Sequence, residues 1–142
     1  GAVAAFQKEI ENSPNHALAR LQIAYLKMRD KDYAAALKLA QEAVRFNAYL
    51  PLGHYILGRA LFESGDAAKA IPELEAARKM APNEARIYFI LSRAYAKAGR
   101  KLEADQASET FTRLNQMAQE AAVKGNARGD ALEETPEKRD PN

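Results

Sequence analysis

His16 and His54 are the only histidines in this 142-residue chain, and no cysteine accompanies them. Neither histidine has a third ligand or a carboxylate at a metal-binding spacing, so no metal site is expected. The missing thiols also exclude a disulfide framework, a thiolate zinc centre and a cysteine nucleophile. Ser13, Ser64, Ser92 and Ser108 lie at a helix end, in a turn, at a small packing position and within a helix, none in nucleophile-elbow context. No glycine-rich loop is present to cradle a phosphate. Glu133 and Glu134 are paired, but in a polar tail where nothing would perturb their titration. Arg128-Gly129-Asp130, a tripeptide that some adhesion receptors read, lies in the same tail, where so short a match arises readily by chance. Neither catalysis nor a cofactor is expected, which leaves tyrosine and arginine as the residues richest in binding chemistry.

The elements that must position them are helical. Alanine accounts for 30 residues, whereas Val, Ile and Thr together give 12, although 47% of the chain is hydrophobic. Alanine is the best helix former and the other three favour strands, so the composition indicates an all-α fold. The net charge of +2 is dispersed among 21 basic and 19 acidic residues, unlike that of a nucleic-acid binder. Apolar runs are too short for membrane insertion. No signal-peptide pattern is present and no compartment is implied.

The sequence also repeats. Shifted by 34 positions, Ile56-Leu57-Gly58-Arg59-Ala60 falls on Ile90-Leu91-Ser92-Arg93-Ala94, with four identities in five. The same shift aligns Ile23, Leu57 and Leu91; Ala24, Gly58 and Ser92; Ala36, Ala70 and Ala104; and Phe46, Met80 and Leu114. Each column keeps one kind of residue, either a large apolar or a very small one. Each period reads as two amphipathic helices joined by a tight turn. These are Ala17 to Arg29 and Tyr33 to Phe46, then Pro51 to Glu63 and Ala67 to Met80, then Ala85 to Ala98 and a helix from about Arg100. Asp30-Lys31-Asp32 and Ser64-Gly65-Asp66 are turn and N-cap signals. The small columns mark places where helices cross closely, because a larger side chain would force the axes beyond ~8–10 Å.

The unit resembles the tetratricopeptide repeat, a 34-residue helix–turn–helix module. The second unit carries the resemblance best, in Leu57-Gly58, Leu61, Gly65-Asp66, Ala70, Leu74, Ala77 and Pro82. The third matches in Leu91, Tyr95, Gly99 and Ala104, and the first in Ile23-Ala24, Asp32-Tyr33, Ala36-Leu37 and Ala43. The resemblance implies a right-handed α-solenoid of antiparallel helix pairs with about three and a half repeats. The expected divisions are a half repeat at 1–16, repeats at 17–50 and 51–84, a repeat with an extended capping helix at 85–123, and a disordered tail at 124–142. Because the chain opens inside a repeat, it is expected to be part of a longer solenoid or multidomain protein. Several departures stand out. Lys27 and Lys31 replace an apolar residue and the turn glycine, Ala48 replaces the closing proline, Ser108 and Phe111 replace an aliphatic residue and an alanine, and Pro72 falls inside a helix, which it should bend.

The resemblance also implies that the first helix of each pair lines a concave face. Helical spacing then selects Leu18, Leu21, Tyr25 and Met28; Leu52, Tyr55, Arg59 and Phe62; and Arg86, Phe89, Arg93 and Lys97. This set combines apolar anchors with a basic flank, and Tyr and Arg are frequent interface hot spots. The expected partner is a protein or peptide with apolar anchors and at least one carboxylate. Relatives that grip chaperone C-termini use a Lys/Asn clamp. Its places here are Leu21, Tyr25, Ile56, Arg86 and Ile90, of which Arg86 alone fits, so that specialisation is not expected. Three alternatives stand beside the peptide groove. They are a self-associating module or structural spacer, forming for example a homodimer that buries the same face; a regulatory region of a larger enzyme; and, more weakly, an RNA-binding relative.

Overall fold

The three tight turns set the direction of the chain. Lys31, Gly65 and Gly99, one per repeat, all have left-handed backbone with φ of 66°, 94° and 78°. The residue after each one reaches back across the end of the preceding helix: Asp32 N–H to Lys27 O, Asp66 N–H to Leu61 O and Arg100 N–H to Tyr95 O, at 2.8–2.9 Å. This bonding closes the helix end and reverses the chain. The next helix is then capped by Asp32, whose carboxylate accepts from Ala35 N–H, or by Asp66, which accepts from Lys69 N–H.

The computed structural model describes residues 2–4 and 16–138, with side chains as far as Gly125. It contains α1 (Ala17–Arg29), α2 (Tyr33–Phe46), α3 (Pro51–Glu63), α4 (Ala67–Met80), α5 (Ala85–Lys97) and α6 (Lys101–Lys138). Residues 2–4 are helical, and the rest of the expected half repeat at 1–16 lies almost wholly outside the described residues.

Contact is densest within the pairs α1–α2, α3–α4 and α5–α6. Next come α2–α3 and α4–α5, which join one pair to the next. First helices also touch, α1 to α3 and α3 to α5, whereas the second helices α2, α4 and α6 do not touch one another. That asymmetry makes the stack a curved solenoid with first helices on its inner side.

The small columns sit at the crossings. Ala24, Ala36 and Ala70 are fully buried, and Ala104 is nearly so. A Cβ on Gly58 would lie 2.6 Å from Leu74 Cγ and 3.3 Å from the Ala70 carbonyl oxygen, so α3 and α4 meet where no side chain fits. Polar links at matching repeat positions tie each first helix down. Arg20 Nε donates to Glu42, His54 Nδ1 pairs with Glu73 at 2.8 Å, and Tyr88 O–H donates to the Pro82 carbonyl. Helix α4 runs unbroken through Pro72, whose exposed position turns the ring away from the core.

The last helix departs from expectation in two ways. Its backbone stays helical to Lys138 instead of ending near Val123 before a disordered tail. Ala121, Ala122, Ala127, Ala131, Leu132, Glu133 and Glu134 are strong helix formers, and the helix runs on past Gly125, Gly129 and Pro136, of which the proline is the costliest at ~3 kcal/mol. Capping of the stack falls to the early part of α6, where Ala104 and Ala107 are buried and Leu114 packs on the core. From Gln116 to Gly125 every residue is exposed.

Candidate functional site

The inner face is built on a two-turn register. Tyr55 and Phe62 on α3 are seven residues apart, as are Arg86 and Arg93 on α5, so each pair shares one side of its helix. The guanidinium of Arg86 lies over the Tyr55 ring at 5.1 Å, and that of Arg93 over Phe62 at 5.2 Å and over Phe89 at 5.7 Å. A planar cation over an aromatic face is held by the ring quadrupole while its edge stays open to a carboxylate. Arg59 donates through one terminal nitrogen to Tyr55 Oη at 2.9 Å, and its buried Nε has no protein partner. Arg86 also donates to Glu84. Partial burial opposes the charge on Arg86, but the hydrogen bond and charge of Glu84 outweigh it and raise its pKa.

The residues singled out from sequence divide into two groups. Tyr25, Arg59 and Phe62 are half-buried on the inner face, and Arg86, Phe89, Arg93 and Lys97 are exposed. Leu21, Met28 and Tyr55 are 0%, 5% and 3% exposed and belong to the core, although Tyr55 also lines a cleft. Their burial has local causes. Gly53 of α3 packs beside Leu21, where an added Cβ would touch the leucine at 3.7 Å and crowd Val44 Cγ2 at 3.0 Å, and Arg86 roofs the Tyr55 ring. Of the positions equivalent to the chaperone clamp, Leu21, Ile56 and Ile90 are core residues as well.

Two features escaped the sequence reading. A cleft of about 270 Å³ lies between the first turns of α3 and α5, lined by Pro51, Leu52, Tyr55, Ala81, Glu84, Arg86 and Ile87. It is mostly apolar, with the Arg86 guanidinium at its edge. Only Leu52, Tyr55 and Arg86 could be anticipated, because the others reach it from a turn and from a helix face that periodicity assigns to packing. The second feature is Phe111 on α6, whose ring meets that of Phe89 at 5.3 Å, tilted by 45°. Its signal was its departure from a column that holds alanine at 43 and 77.

The histidines do not take part. His16 caps α1 by accepting from Ala19 N–H, and His54 is held by Glu73 and the Ala48 carbonyl. Among the described residues no three His, Asp or Glu side chains could hold a metal ion, and no helix is long and apolar enough to cross a membrane.

Comparison with known proteins agrees with this architecture. The curated anaphase-promoting complex subunit 3 of Schizosaccharomyces pombe is 29% identical over 96 residues, covering 68% of this chain. The chain spans 14% of the length of that relative. A crystal structure of MamA superposes with a TM-score of 0.74 at 24% identity, covering 80% of this chain and 67% of that one. A double mutant, MamA RS-1, gives 0.73 at 21% identity over 82% and 65%. At these identities the structural likeness shows the fold, the all-α right-handed solenoid implied by the repeat. The family model of the tetratricopeptide repeat matches residues 1–51 and 55–113, and the chain belongs to the tetratricopeptide repeat family.

Proposed function

We propose that this chain is a non-catalytic protein-interaction scaffold that binds a peptide or protein segment on its concave face. The repeat family and its solenoid fold support the scaffold role. The observation that carries the finer reading is the apolar cleft at Leu52 and Ile87 with the Arg86 guanidinium at its rim, continued by Arg93 between Phe62 and Phe89. Such a surface suits a ligand that places an aliphatic or aromatic side chain beside a carboxylate. The apolar group supplies buried area, and the arginines fix its register.

The test is a peptide library screened against the wild type and the double variant Phe89→Ala with Arg93→Glu. Both side chains are exposed, and a circular-dichroism spectrum unchanged from wild type shows that the comparison isolates binding. Wild-type binders should be enriched in an apolar residue next to Asp or Glu, and the variant should bind them at least about tenfold more weakly. Equal binding by the two proteins would place the site elsewhere.

A further inference from the structure

Every residue of α6 from Gln116 to Gly125 is exposed, and the sequence beyond carries what the inner face lacks. Asp130, Glu133, Glu134 and Glu137 recur at i, i+3, i+4 and i+7, the register of one helical face, and the backbone is helical through them. No basic residue falls between Asp130 and Glu137. The inner face offers Arg59, Arg86, Arg93 and Lys97 with an apolar cleft beside Arg86. Acidic side chains near a helix C-terminus also oppose the macrodipole, so the end of α6 gains stability from a cationic partner.

We propose that the concave face receives the acidic end of α6, residues 130–137, from a second copy of the chain. The carboxylates of Asp130, Glu133, Glu134 and Glu137, on one face of the helix, meet Arg86 and Arg93. This rests on the concave-face reading above and names its occupant. Helix geometry favours a second copy over the same chain. Among the residues whose side chains are described, Asn115 is the last of α6 that is not exposed, and at ~1.5 Å per residue a continuous helix carries Asp130 about 22 Å beyond it, away from its own groove. Charge complementarity selects the acidic stretch over the rest of the helix surface.

The experiment uses the full chain in three forms: wild type, a groove variant (Arg86→Glu with Arg93→Glu) and a tail variant (Glu133→Lys with Glu134→Lys). Light scattering should show wild-type mass rising with protein concentration at low salt and falling back to that of one chain at high salt. Each variant alone should associate at least about tenfold more weakly. A mixture of the two should form a complex, because the groove variant keeps an acidic tail and the tail variant keeps a basic groove. If the groove variant fails to fold by circular dichroism, the tail variant still decides, because its substitutions lie beyond the packed stack. Wild type that stays monomeric at all concentrations, association unchanged in the tail variant, or cross-links from the tail to the groove of the same chain would each overturn the proposal. If the chain does not self-associate but library peptides still bind the groove, this inference falls and the concave-face function stands. If neither occurs, both fall.

Discussion

The Arg93 guanidinium lies 5.2 Å from the centre of the Phe62 ring, joining two successive first helices across the inner face of the solenoid. The contact repeats one step away, with Arg86 over Tyr55. Both arginines come from the third repeat and both rings from the second, so these side chains couple neighbouring repeats while leaving charge at the surface. An exposed cation–π pair contributes ~0.5–1 kcal/mol. Losing one therefore costs less stability than a core substitution, and its larger consequence is for what the face can bind.

This gives the first prediction. Arg93→Ala should lower unfolding free energy by about 1 kcal/mol or less, and most of that loss should vanish when Phe62 is already Leu. A double-mutant cycle by urea denaturation measures it. Additive losses in the cycle would show that the ring and the guanidinium do not interact.

Gly58 tests the helix crossing. An alanine there would place its Cβ 2.6 Å from Leu74 Cγ, with the Ala70 carbonyl oxygen at 3.3 Å. The leucine can shift and the backbone oxygen cannot shift cheaply. Gly58→Ala should cost about 1–3 kcal/mol, and Gly58→Leu more. The measurement is the denaturation midpoint, and a midpoint unchanged by the leucine would refute close α3–α4 contact.

The turns isolate a backbone effect. Lys31 holds φ of 66° where the later repeats use Gly65 and Gly99, and a Cβ on either glycine would meet nothing within 4 Å. Left-handed backbone costs a non-glycine residue ~1–2 kcal/mol. Lys31→Gly should therefore stabilise the chain, by about 1 kcal/mol or less once the added freedom of the unfolded chain is counted. Gly65→Ala and Gly99→Ala should each destabilise it by about 1 kcal/mol. Thermal unfolding of the three variants checks the opposite signs.

The repeat period and the turn residues made the helices legible, since Ser64-Gly65-Asp66 states both a stop and a cap. The helical backbone to Lys138 was not legible, because glycines, prolines and alternating charges with almost no large apolar residue from Lys124 on read as a tail that packs on nothing. The inner face was only partly legible. Periodicity puts Leu21, Tyr25 and Met28 on one side of α1, but it says nothing about how near α3 comes. Gly53 of α3 comes up beside the leucine, near enough that an added Cβ would touch it at 3.7 Å. Likewise, the burial of Tyr55 depends on an arginine 31 positions later, a relation between repeats that no single-helix pattern contains.

Tyr95 supplies the pH prediction. Burial, then the hydrogen bond it donates to Glu75 and the charge of that carboxylate, push its phenol up to about 12, with Arg78 pulling weakly the other way. An unfolded tyrosine titrates near ~10, so the folded chain holds this proton more tightly than the unfolded chain does. The resulting stabilisation is complete below pH ~10 and is lost as pH rises from there through the folded value. In a tyrosinate absorbance titration, one of the six tyrosines should lag the rest. Tyr95→Phe should remove that late phase and leave Glu75 without its donor, at a cost of about 1–3 kcal/mol near neutral pH. Glu75→Gln should keep the phase but move it toward the ordinary value, because the charge that opposes ionisation is gone. If all six tyrosines ionise together in the wild type, the Tyr95–Glu75 bond does not hold α5 against α4 in the way the geometry requires.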